Sequence, residues 1–169
     1  MSQIKHQWYH FIMLSLLMAL GCTTPSQIQT TSNTSLEQYA FSELDSLLSV
    51  EQRPIAVFLH AAWCSFCKNM EQTSFQNEKV MELLNKNYYF VSFDGEQKEE
   101  VKFKGHVFQF RPSGRNTGTH ELAIALGSVE GNLTYPTFVL LNPAYELIFQ
   151  HQAFLNAEAL IGILEAGMK

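Results

Sequence analysis

The sequence predicts one α/β domain in which helices flank a central mixed sheet. Three observations carry this. Two apolar runs of strand length, Ile55–His60 and residues 88–93, have the composition of strands buried on both faces. Helical segments lie between them, which makes a strand–helix–strand unit with parallel strands. Residues 136–141 then form a third strand, Asn142-Pro143 turns the chain, residues 145–150 return antiparallel, and a last amphipathic helix follows.

The 169 residues suit one compact domain plus a leader and a tether. Hydrophobic residues make up 46% and charged residues 16%, a globular balance, and 13 Phe supply a large aromatic core. Formal net charge is −5. Lys5 is the one charged side chain before Cys22, so the remainder carries 10 Lys+Arg against 16 Asp+Glu. With no Lys/Arg cluster to meet phosphates, a nucleic-acid partner is excluded from the expectations.

Residues 1–21 have the form of a signal peptide, with Lys5 and His6 ahead of an apolar stretch, residues 11–20, too short for a comfortable membrane span. It ends in Ala19-Leu20-Gly21-Cys22, which resembles the bacterial lipobox with its first two positions exchanged. That resemblance implies lipidation of Cys22, a membrane anchor, and export to the periplasm; Thr23 after the cysteine implies the outer membrane. An ordinary cleaved signal and an uncleaved anchor remain alternatives. Residues 22–34 are rich in Thr, Ser and Gln and read as a flexible tether, leaving residues 35–169 as the domain.

Within the domain, Ser35-Leu36-Glu37-Gln38 has the spacing of a capping box and predicts a helix running through Leu48, which Arg53-Pro54 ends. After the first strand, a helix is expected from Cys64 toward Thr73 and another over residues 78–85. An insert of about residues 99–130 follows the second strand. Residues 101–110 alternate around Gly105 and predict a β-hairpin, residues 111–118 a loop, and residues 119–127 a short helix. Asn156 is placed to cap the final helix.

The chemistry concentrates in Trp63-Cys64-Ser65-Phe66-Cys67-Lys68, directly after a buried strand and at the start of a helix. Cysteines three apart share one helix face within disulfide reach. The first sits where unsatisfied backbone N–H groups and the helix dipole favour a thiolate. Cys64 is therefore the expected nucleophile and Cys67 the thiol that resolves a mixed disulfide. The alternatives are a structural bridge and a metal site. Zinc needs two more ligands and only His60 offers one, so no metal and no cofactor are expected; copper(I) on His60, Cys64 and Cys67 stays open as a second class of function.

These residues resemble the active-site motif of the thioredoxin superfamily, and Tyr135-Pro136-Thr137 resembles its conserved proline loop. The likeness extends over about residues 36–167 and is nearest the reducing C-terminal domain of the DsbD transporter, where Glu71, Thr73 and Phe75 find counterparts. His120-Glu121-Leu122-Ala123 resembles a segment of uncharacterised thioredoxin-like lipoproteins. The resemblance implies a thioredoxin-like fold with the hairpin and short helix inserted before the proline loop, a cis bond at Pro136, and a redox-active Cys64–Cys67 disulfide. It also implies that Trp63, Tyr135 and Pro136 contact substrate, with Tyr135's backbone open to an extended peptide. One departure matters: thioredoxins carry a buried Asp six residues before the first Cys, and here that position is Phe58. Glu71, one turn past Cys67, is the candidate for proton transfer in its place. His106 and His120 read as surface or packing residues.

The expected function is thus an extracytoplasmic thiol–disulfide oxidoreductase that reduces or isomerises protein disulfides. Its partners would be disulfide-containing proteins and an upstream thiol electron donor, and it would act as a monomer. A docking module that uses the 101–110 hairpin is the third alternative.

Overall fold

A computed structural model describes residues 35–168; the expected signal peptide, Cys22 and tether all lie outside the described residues. The central sheet has four strands. β1 (Ile55–His60) pairs parallel with β2 (Tyr89–Asp94), and Ile55 lies opposite Tyr89 and His60 opposite Asp94. On its other side β1 pairs antiparallel with β7 (Thr137–Leu141), which pairs antiparallel with β8 (Leu147–His151), giving the order β2-β1-β7-β8.

β1 is buried along both faces, and its alternation divides the core in two. Ala56 and Phe58 join Cys64, Cys67, Met70, Phe75, Phe90 and Phe138 on one side. That side is covered by α2 (Ser65–Gln72), α3 (Glu78–Asn87) and α5 (Ala157–Ala166). Ile55, Val57 and Leu59 join Leu44, Val91, Phe93, Phe103 and Leu122 on the other, under α1 (Leu44–Val50) and α4 (Glu121–Gly127). Asn156 caps α5 as expected, its side chain accepting the Ala159 N–H at 2.9 Å.

The helix expected from Ser35 begins nine residues later. Residues 35–40 are neither helix nor strand, and a 3₁₀ turn at Phe41–Glu43 and then α1 follow. Hydrogen bonds to distant parts of the chain outcompete the local capping box. Tyr39 N–H donates to Phe90 O at 2.9 Å, Glu37 N–H donates to Asn85 Oδ1 at 2.9 Å, and Asn85 Nδ2 donates to Ser35 O at 2.9 Å. Glu43 Oε2 then accepts the Ala40 N–H at 2.6 Å, so the acid three residues in is used, five residues downstream of the expected start.

The insert holds two hairpins where one was expected. β3 (Val101–Phe103) and β4 (His106–Phe108) are joined by Lys104 and Gly105, with φ of 51° and 73°, the left-handed pair a two-residue hairpin turn requires. The expected loop at 111–118 is partly strand: β5 (Phe110–Pro112) pairs with β6 (Gly118–His120), and Phe110 lies opposite His120. α4 therefore starts at Glu121 and not at Thr119, because Thr119 and His120 belong to the ladder.

Candidate active site

Parallel pairing brings the C-terminal ends of β1 and β2 to one edge of the molecule, and antiparallel pairing brings the N-terminal end of β7 beside them. Each strand delivers one wall of the site: β1 leads to Trp63 and Cys64, β2 to Gly95 and Glu96, and the residues before β7 are Tyr135 and Pro136.

Cys64 is the N-cap of α2, with φ −73° and ψ 106°, and its Sγ accepts the Cys67 N–H at 3.1 Å. The two sulfurs are joined in a disulfide, with Cα atoms 5.3 Å apart. Cys64 keeps 3% of its surface exposed and Cys67 1%. A partner sulfur thus reaches Cys64 only through a narrow opening, while Cys67 lies behind it in the core.

Trp63 and Phe66 flank the pair and stand out from the surface, 66% and 62% exposed. The Trp63 indole N–H donates to Glu96 Oε1 at 2.9 Å, and its ring stands edge-on to Tyr135 with centroids 6.1 Å apart. The Tyr135–Pro136 peptide bond is cis, and Pro136 is buried. The Tyr135 hydroxyl is buried without a hydrogen-bond partner, and burial, with Glu96 and Asp94 nearby, raises its pKa. It lies over Gly95 so closely that a Cβ on that residue would stand 2.0 Å from the oxygen. Gly95 N–H in turn donates to His60 O at 2.8 Å, tying the turn to the end of β1.

Phe58 is fully buried against Phe75, with centroids 4.8 Å apart, so no carboxylate occupies that core position. Glu71 lies one turn past Cys67 on α2, partly buried, and with His60, Phe58 and Ser92 lines a cavity of about 370 Å³. Lys68 is exposed. The His60 ring stacks on Phe58 at 5.5 Å, and among the described residues no group of three or more His, Cys, Asp or Glu is placed to hold a metal ion. His106 is exposed, and His120 is wholly buried with both ring nitrogens in hydrogen-bond contact.

Sequence reasoning missed Glu96 and Gly95. The available signal was Asp94-Gly95-Glu96 at the end of a strand parallel to β1, which places those residues level with the approach to the cysteines.

A family model described as a thioredoxin-like domain matches residues 44–167. Among solved structures, the chain is similar to a DsbH oxidoreductase, with TM-score 0.60 and 14% identity, covering 88% of this chain and 94% of that one. It is also similar to a thioredoxin from Thermus thermophilus, with TM-score 0.57 and 21% identity over 78% of this chain and 86% of that one. The oxidised C-terminal domain of DsbD from Neisseria meningitidis follows, with TM-score 0.51 and 14% identity over 78% and 99%. At these identities the likeness is one of fold. Among curated proteins, spermatogenesis-associated protein 20 of Rattus norvegicus and of Mus musculus is 39% identical over 51 residues, 30% of this chain. The chain spans about 6% of the length of those relatives.

Proposed function

We propose, since the chain belongs to the thioredoxin-like family, that Cys64 and Cys67 carry out thiol–disulfide exchange on other proteins. The observation that carries this reading is the placement of the pair. Cys64 Sγ is the cap of α2 and accepts the Cys67 N–H, so the N–H that donates to this sulfur in the disulfide would stabilise its thiolate after reduction.

In the reducing direction, the Cys64 thiolate attacks one sulfur of a client disulfide. A bond forms between Cys64 Sγ and that sulfur, the client bond breaks, and the second client sulfur leaves as a thiolate and takes up a proton. Cys67 then loses its proton and attacks Cys64 Sγ. This forms the internal disulfide and releases the first client sulfur. The client gains two electrons and two protons, one proton given up by Cys67 and one drawn from solvent, and the pair, which entered as thiolate and thiol, loses two electrons and one proton. An upstream thiol donor returns them by the reverse exchange.

Trp63 and Phe66 offer exposed apolar contact beside the sulfur, and Tyr135 and Pro136 close the opposite wall, a surface suited to an extended segment around a client cysteine. The N-terminal sequence supports an extracytoplasmic place of action with a lipid on Cys22, a setting in which client disulfides persist. Reduction or isomerisation is favoured over oxidation by the DsbD-like motif.

The test is capture. A Cys67→Ala variant expressed in cells should accumulate disulfide-linked adducts through Cys64 that disappear with a reductant and with Cys64→Ser. Purified protein should reduce insulin disulfides with a thiol donor. Absence of adducts together with inert insulin would overturn the reading.

A further inference from the structure

His120 has no exposed surface and stands where the insert meets the core, as the last residue of β6 and the N-cap of α4. Its Nδ1 accepts the Leu122 N–H at 3.2 Å, and its Nε2 lies 3.1 Å from Glu99 O. An accepting Nδ1 must present a lone pair, so the ring hydrogen sits on Nε2 and is donated to the Glu99 carbonyl. The ring edge packs on Phe93 with centroids 5.2 Å apart. The backbone around it is equally engaged: His120 N–H donates to Gly95 O at 2.8 Å, and Glu121 N–H donates to Gln109 O at 2.9 Å. One neutral imidazole, carried at the end of the second hairpin, therefore joins the 95–100 turn to α4.

That turn is also the floor of the site. Gly95 lies directly under the Tyr135 hydroxyl, and Glu96 holds the Trp63 indole. We propose that neutral His120 is a positioning residue for the exchange site: its ring latches the 95–100 turn, through Glu99 O, to the start of α4, holding the turn beneath Tyr135 and Trp63, and it lets go of α4 while keeping Glu99 when the ring takes up a second proton. The part that concerns catalysis rests on the exchange reading above; the latch itself does not.

The balance is simple. A solvent proton adds to Nδ1 and consumes the lone pair that accepted the Leu122 N–H. Two donors then face each other at the positive end of α4, so the cap, and with it the ring's tie between α4 and the turn, is lost, while Nε2–H still donates to Glu99 O. Few charges face the ring. Glu121 at the start of α4 is the nearest, its carboxylate already taken by the Gln109 N–H at 2.9 Å and by Arg111 of β5 at 2.7 Å. β2 presents Phe93, and the side chains of Lys98, Glu99 and Glu100 on the turn are exposed. Burial holds His120 below the usual imidazole range, against the opposing pull of the Glu99 carbonyl and the Glu121 carboxylate. The sign follows. With the folded value lowered, the latch is complete above about pH 6.5, the unfolded value, and is lost as pH falls through the folded value.

The experiment uses the full chain. Nitrogen-resolved NMR of the imidazole should place the hydrogen on Nε2. As pH falls from about 7.5 through the ring's own titration, Leu122 amide protection, corrected for intrinsic exchange, should fall about tenfold in step with it, the scale of one lost N-cap. The KM for a peptide disulfide should rise over the same interval with little change in kcat. His120→Asn keeps a capping acceptor that does not titrate, so it should retain the fold and lose both steps. A hydrogen on Nδ1 would overturn the proposal, as would a ring that stays neutral until the protein unfolds. So would titration without loss of Leu122 protection, or the same KM step in His120→Asn. Should that variant not fold, the wild-type NMR decides. If amide protection follows the ring while no exchange is detected at any pH, the latch stands and the exchange reading falls.

Discussion

The Trp63 indole N–H reaches across 33 residues of sequence to Glu96 Oε1, which fixes the most exposed aromatic side chain of the site by one polar contact. Trp63 is 66% exposed and has its other contact edge-on with Tyr135, so little else restrains its rotamer. Glu96→Ala should therefore shift and broaden the Trp63 indole N–H resonance and lower kcat/KM for a peptide disulfide about fivefold, while stability moves by about 0.5 kcal/mol or less. Glu96→Gln keeps an acceptor oxygen and should restore both. An indole resonance unchanged in Glu96→Ala would show that the contact does not hold the ring.

Gly95 and Tyr135 form a tighter pair, because the closest approach is to a buried hydroxyl on a partly buried ring. A Cβ at Gly95 would stand 2.0 Å from the Tyr135 oxygen and 2.7 Å from Cζ. Gly95→Ala should cost about 1–3 kcal/mol in urea denaturation, the range for overpacking. Tyr135→Phe removes a buried hydroxyl that has no partner, so alone it should be neutral or stabilising. Combined with Gly95→Ala it should recover part of the loss. Equal destabilisation of the single and the double variant would show that the clash lies with the ring and not with the oxygen.

Much of this architecture was legible because its causes are local. β1 is an unbroken apolar run, since both of its faces are core, and Asn156 marks the start of α5 by chemistry confined to one turn. Cys64 and Cys67 are readable for the same reason, their spacing and their position after a strand being facts of sequence. The errors share the opposite cause. Residues 35–40 have a helix signature, but the N–H groups of Tyr39 and Glu37 are taken by Phe90 and Asn85, about fifty residues away. β5 and β6 carry Pro, Ser, Gly and Asn between them, which reads as loop, and pair through Phe110 and His120 with no alternation to announce it. His120 itself looked like packing, and its role appears only with Glu99, 21 residues back, and Gly95 in place.

Tyr88 sets an alkaline limit on the fold. It is fully buried, it donates to Leu164 O in the last turn of α5, and burial pushes its pKa up to about 12. The folded chain keeps this proton where the unfolded chain loses it, near pH 10. Its contribution is therefore whole below pH 10 and is lost as pH rises toward 12, on the order of 2 kcal/mol across the interval. Tyr88→Phe should cost about 1 kcal/mol at pH 7 for the missing hydrogen bond. It should also make the fall in stability above pH 10 shallower. The same alkaline slope in both proteins, measured by urea midpoints at fixed pH, would place the limit on other tyrosines.

Phe58 raises the question of where the Cys67 proton goes, since the core position six residues before Cys64 holds an aromatic ring packed on Phe75. Reduction of a client requires Cys67 to ionise while it is 1% exposed, and burial disfavours the thiolate. Glu71 is the acid on the same helix face, one turn on, and it opens into the cavity shared with His60. If its carboxylate accepts the proton, Glu71→Gln should slow decay of the Cys64 mixed disulfide about tenfold at neutral pH, a modest share of the usual general-base effect. The first attack by Cys64 should keep its rate, because that step does not involve Cys67. Quenched-flow trapping separates the two steps directly. Equal slowing of both would mark Glu71 as a support for α2, and an unchanged decay would mean that Cys67 gives its proton to solvent through the opening at Cys64.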